Sequence, residues 1–279
     1  MNEQFPHASR LTGYFNFERA HNRNEFPAPW KALGMTAAAD EAEVLDYDQI
    51  PTRDEMDADP DCGPAISLID EPHAIALPDI YEPGYNYPLI VWFHGNGQTE
   101  DEIFDVLPQI SERNYLAVAL RGNLPEDGGA RWSTSVGGTL EMARRVEDVV
   151  RGMQQHFSIN PQRVYLAGMG TGGTTALEVF LERPDAFAGA ACLCGEFPQI
   201  ETPLARFRGL RGRRMLLSTT FTCPDVKVID MVNSGRMLYA AGLQVGTRIY
   251  QQTGDAAVTK MFRDVDQWIM DGIQTALHA

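Results

Sequence analysis

The stretch Val164-Tyr165-Leu166-Ala167-Gly168-Met169-Gly170-Thr171-Gly172-Gly173-Thr174-Thr175-Ala176-Leu177 constrains this chain more than any other. Its apolar start reads as a buried strand, a glycine cluster stops the strand, and small residues open a helix at once. A strand that gives way to a helix within a few residues needs a tight turn, which glycine suits. Here the apex is Gly170, which has no side chain. Thr171 comes next and is read as opening the helix.

Composition narrows the rest. A chain of 279 residues fits one large α/β domain with an extension, or at most two small domains. Its apolar fraction of 44% supports a sizeable core without disulfide staples. The net charge of −15 argues against nucleic acid or an anionic membrane surface as partner. No apolar run approaches the roughly 20 residues that span a bilayer, and Met1–His7 lacks a signal-peptide layout. Four cysteines without a framework spacing read as reduced thiols, which implies a cytoplasmic setting. Cys192 and Cys194 fall on a predicted buried strand and read as small core residues.

Residues 1–62 read as an N-terminal extension. Phe5, Tyr14, Phe17, Phe26 and Trp30 are scattered without a period, and Ala37 to Asp61 is acid-rich and expected to be partly mobile. Residues 63–279 are expected to form the domain. Ala65–Ile69 and His73–Leu77 are expected to pair as an antiparallel hairpin, and Leu89–Phe93 to be a strand buried on both faces. The expectation continues with helix Glu100–Arg113, strand Tyr115–Leu120, helix Leu140–His156, strand Val164–Ala167 and helix Thr174–Glu182. After these come strand Phe187–Leu193, strand Arg214–Ser218, helix Lys227–Ala241, strand Thr247–Gln251 and helix Thr259–Ala276. Such alternation means a mostly parallel sheet with helices on both faces.

Two stretches carry a family resemblance. Tyr87-Pro88-Leu89-Ile90-Val91-Trp92-Phe93-His94-Gly95-Asn96-Gly97 resembles the strand and H-G-x-G loop of the α/β-hydrolase superfamily, and Val164 to Gly173 resembles its nucleophile elbow, G-x-S-x-G. In order and separation they are similar to the phospholipase/carboxylesterase (dienelactone-hydrolase-like) branch, over Ala65 to Ile273. The resemblance implies an α/β-hydrolase fold, and the segment Gly195–Arg213 is too short for a large lid.

The resemblance also implies a nucleophile–acid–histidine triad, and each position departs from it. Gly170 occupies the nucleophile position, and no other G-x-S-x-G occurs. Cys223, in Thr222-Cys223-Pro224, stands where the acid belongs, with Asp225 as a substitute if the loop is shifted. Asp255 stands nearest the histidine position, and beyond Gly170 the only histidine is His278. A serine mechanism needs a base within hydrogen-bond reach of its nucleophile. The reading is therefore a catalytically impaired member, a pseudoenzyme acting by binding or regulation. It keeps an oxyanion-type pocket at His94, Gly95, Asn96, Gly97 and Thr171 for a small anionic or carbonyl ligand. No cofactor or metal is expected, and a protein partner or a second copy is left open. The alternative is a carboxylesterase or phospholipase-like hydrolase with an unrecognised nucleophile.

Rival constellations exist. Gly168–Gly173 also satisfies G-x-G-x-x-G, with Glu196 at about the distance of a ribose-binding acid, which suggests dinucleotide binding. Against it, two strand–helix units precede this turn. A Cys223/His94 dyad would span strands three apart, about 14 Å at about 4.8 Å per strand. Asp101, Glu102 and Asp105 read as serving a helix dipole. Arg121 and Arg131-Trp132-Ser133 lie at the rim, where a solvated loop arginine is the commoner reading.

Overall fold

Strand β3 (Tyr87–Phe93) is buried at every position, and the sheet extends to either side of it. The computed structural model describes residues 10–12, 68–69, 71–126, 128–133, 138–198 and 207–277. Its strands are β1 (Arg10–Thr12), β2 (His73–Ala76), β3, β4 (Leu116–Leu120), β5 (Leu124–Glu126), β6 (Gly129–Arg131), β7 (Ile159–Met169), β8 (Gly189–Leu193), β9 (Arg214–Thr220) and β10 (Gln244–Tyr250). Its α-helices are α1 (Ile103–Ile110), α2 (Gly138–His156), α3 (Thr171–Glu182), α4 (Phe207–Leu210), α5 (Val228–Ala240) and α6 (Asp255–Leu277). The main sheet runs β1-β2-β4-β3-β7-β8-β9-β10. All its pairs are parallel except β1–β2 and β2–β4.

Side-chain alternation along β3 builds two cores. Leu89, Val91 and Phe93 face Val146 and Val149 of α2, Leu177 and Phe180 of α3, and Leu238 of α5. Ile90 and Trp92 face α1 and the apolar stripe of α6, including Met261, Phe262, Val265 and Ile269. A strand buried on both faces needs this continuous apolar run rather than alternation, which is why the central strands are legible from sequence.

Three expectations change in detail. The hairpin expected from Ala65–Ile69 with His73–Leu77 is not how β2 pairs: its neighbours are β1 and β4. Leu68 and Ile69 form a bend, and Ala65–Ser67 lie outside the described residues. Buried His73 holds this bend, accepting from Leu68 N–H at 3.2 Å and donating to the Glu71 carbonyl at 2.8 Å. The helix expected over Glu100–Arg113 shortens to a 3₁₀ turn, Glu100–Glu102, and α1. It ends because Ser111 is extended and its Oγ accepts from the Arg113 and Asn114 amides, offering the backbone an alternative to the helix. The small hairpin β5–β6 was not expected, although Gly128 (φ 81°) and Gly129 mark its turn.

Candidate functional site

Chain order reverses between β3 and β7: β4 follows β3 on one side, and β7 adjoins β3 on the other. Open α/β sheets bind their ligands at the carboxyl ends of strands at such a switch point. Two loops meet there, the turn Gly170–Gly173 after β7 and the loop His94–Gly97 after β3.

Gly170 is the apex of the turn, with φ 58° and ψ −125°. Its N–H donates to the Leu193 carbonyl at 2.8 Å, and its carbonyl accepts from Thr174 N–H at 3.1 Å. A Cβ built at Gly170 meets nothing within 4 Å, so the apex faces open space. The other glycines serve packing. A Cβ on Gly172 would lie 2.1 Å from the Phe93 carbonyl oxygen, and one on Gly168 2.5 Å from the Gly172 carbonyl carbon. Close approach of α3 to β3 and β8, with the positive φ of Gly170, therefore accounts for the G-x-G-x-x-G glycines without a dinucleotide. Glu196 instead lines a cavity of about 180 Å³ between α3 and α5, with Leu177, Cys192, Phe197, Asp225 and Met231.

The loop after β3 is held from three sides. His94 is fully buried. Its Nδ1–H donates to the Gly95 carbonyl at 2.7 Å, and its Nε2 accepts from Gly122 N–H at 2.9 Å. Burial lowers its pKa and keeps it neutral, as the acceptor role of Nε2 requires. Trp132 packs on the ring and donates from Nε1 to the His94 carbonyl at 2.8 Å. Glu102 accepts from Trp92 Nε1 at 2.9 Å and from the Gly95 amide, while burial raises its carboxyl pKa. Gly97 (φ 71°) donates its N–H to the Ala130 carbonyl of β6 at 3.1 Å.

These bonds sort the expected pocket residues. Asn96 and Thr171 are brought together, with Thr171 Oγ1 donating to Asn96 Oδ1 at 2.8 Å. His94, Gly95 and Gly97 shape the loop, and their ring nitrogens or amides are already engaged within the protein. Because Thr171 is the first residue of α3, its N–H has no intrahelical acceptor. In such folds the amide after the apex and one from the β3 loop face a common oxyanion.

The remaining candidates fall elsewhere. Cys223 follows β9, half-buried, and β9 lies three strands from β3, so it forms no dyad with the engaged His94. Asp255 opens α6 and is exposed. Arg121 forms a bidentate pair with buried Glu100, Nε to Oε2 at 2.6 Å and Nη2 to Oε1 at 2.8 Å, so its fork is occupied. Sequence reasoning placed Gly122 and Trp132 at the rim and gave Glu102 to a helix dipole, but it missed that they brace the loop, and it missed Ala130. Only a hairpin assignment for Leu124–Arg131 would have pointed to them.

The sheet order, the tight turn after β7 and the adjoining β3 loop define an α/β-hydrolase fold. Known structures agree. A carboxylesterase from Mesorhizobium loti aligns with a TM-score of 0.59 at 19% identity, over 72% of this chain and 96% of its own. A Rhizomucor miehei esterase aligns with a TM-score of 0.58 at 15% identity, over 74% and 80%. Arabidopsis thaliana SOBER1 aligns with a TM-score of 0.56 at 18% identity, over 67% and 99%. In sequence, the chain is similar to the protein named "Putative esterase NocK" from Nocardia uniformis subsp. tsuyamanensis, 30% identical over 145 residues. That match covers 48% of this chain and spans only 38% of the relative's length. No family model matches the chain. No described helix is long and apolar enough to cross a membrane.

Proposed function

We propose that this protein is an α/β-hydrolase-fold binder that does not hydrolyse esters, taking a small carboxylate, phosphate or carbonyl compound between Asn96 and Thr171. One observation carries the reading: the apex of the elbow is glycine, with open space where a nucleophile would stand. The engaged, neutral His94 supports it, as does the lack of any histidine but His278 after Gly170. The ligand's oxygen would accept from the Thr171 amide at the positive end of α3 and from an amide of the β3 loop. Similarity to NocK favours a second reading, an esterase with an unrecognised nucleophile.

The test separates the two. The purified protein is expected to give no fluorophosphonate adduct and no p-nitrophenyl acetate hydrolysis above background. Carboxylates or phosphates should raise its melting temperature. A stoichiometric adduct mapped near the turn would establish the esterase reading instead. If no anion or carbonyl compound stabilises the protein, the binding reading fails.

Gly170→Ser is expected to remain inactive and to lower stability by about 1–3 kcal/mol. Space is available for the serine, but its backbone would be held at φ 58°. Denaturant midpoint and esterase rate check this beside Gly170→Ser/Asp255→His/Cys223→Asp. Esterase activity in the single variant would reveal a base elsewhere.

A further inference from the structure

Among the described residues, no three His, Cys, Asp or Glu side chains converge as metal ligands. Counting methionine sulfur changes the picture. Cys194, just past β8, has φ 51°, the one positive φ of a non-glycine residue among those described. While Cys192 faces the α2–α3 core, Cys194 packs against the opposite core, beneath α6. Its Sγ lies 4.0 Å from Met261 Sδ on α6. The Cys223 thiol, from the loop after β9, and the Thr220 amide lie beside the same sulfur. Cys194 thus has a sulfur from each of two other elements beside it, at the carboxyl edge of the sheet. Cys194 and Cys223 are half-buried and reachable from solvent, and Met261 lies buried beneath them.

We propose that Cys194, Cys223 and Met261 form a three-coordinate site for a soft monovalent cation, Cu(I) foremost. Two thiols and a thioether are the donor set that selects Cu(I) among biological metals, and hard cations would find no oxygen cage here. Structural zinc takes four ligands, and among the described residues three sulfurs neighbour one another here. The Cys194–Met261 spacing of 4.0 Å agrees as well, since a trigonal ion with metal–sulfur bonds of about 2.3 Å holds its sulfurs about 4 Å apart. Binding forms two metal–thiolate bonds and one metal–thioether bond. Two S–H protons leave to solvent, and no electron is transferred.

The site shares no residue with the Asn96–Thr171 pocket, so the two proposals stand or fall separately.

The experiment titrates full-length, fully reduced protein with Cu(I) under anaerobic conditions against the chelator bicinchoninate, with Ag(I) as a redox-inert check. Wild type is expected to take one Cu(I) per chain, with a rise in near-ultraviolet thiolate-to-metal absorption. Cys194→Ser and Cys223→Ser should each weaken retention on the order of a hundredfold, and Met261→Leu on the order of tenfold. Cys62→Ser and Cys192→Ala should retain the metal, which distinguishes this site from general thiol binding. Far-ultraviolet circular dichroism confirms that each variant is folded. Half-buried Cys223, being on a loop, keeps the test open if the Cys194 or Met261 variants do not fold. The proposal is overturned if the chelator keeps the copper, or if folded Cys223→Ser binds it as tightly as wild type. It is equally overturned if Cys194 and Cys223 are recovered as a disulfide and the reduced protein takes no metal.

Discussion

Glu178→Gln is expected to stabilise the protein by about 3 kcal/mol at pH 8 and by almost nothing at pH 4. Glu178 sits on α3 with only 7% of its surface exposed. Burial alone raises its carboxyl from 4.5 to about 7. Because the folded pKa lies above the unfolded one, the native protein holds a proton that the unfolded chain has lost between about pH 4.5 and 7. Stability therefore falls as pH rises through that window, and the penalty stays constant above it. Glutamine has nearly the same shape and no charge to desolvate. Urea midpoints of both proteins at pH 4, 6 and 8 check the claim. A gap that does not widen with pH would mean that the charged carboxylate is solvated or paired.

Gly172→Ala is expected to cost at least about 3 kcal/mol, or to abolish soluble expression. The added methyl would sit 2.1 Å from the Phe93 oxygen and 2.4 Å from the His94 oxygen. Those carbonyls end the central strand, which β4 and β7 flank, so the backbone cannot yield. Relief requires α3 to lift away, and with it Leu177 and Phe180 leave the core. Gly84→Ala is the control, since a Cβ there meets nothing within 4 Å and its φ is ordinary. It should change stability by less than about 0.5 kcal/mol. A Gly172→Ala protein as stable as wild type would mean that α3 is not seated on β3 as described.

Much of the fold was legible because strand–helix alternation is a local signal. Leu89–Phe93 and Val164–Ala167 are apolar runs that only a doubly covered sheet can bury, and glycine marks the turn at Gly170. Element ends were less legible. The short α1 ends through one Ser111 hydroxyl, and β10 begins at Gln244, where its residues are mostly exposed and carry little apolar pattern. Glu178 would be read from sequence as the polar face of an ordinary helix, since nothing local says that the face is covered.

The sequence by itself determined that the apex of the turn carries no side chain and that the histidine after it is His278. Those are facts of residue identity, and no packing can change them. Only the tertiary structure decided which of the glycine-loop amides remain for a ligand, because their partners are remote in sequence. Trp132 reaches back 38 residues to His94, and Gly122 reaches back 28. The structure likewise decided that Cys194, Cys223 and Met261 meet. Burial and hydrogen bonding are properties of pairs of residues, and a chain read in order carries each partner without saying which will come together.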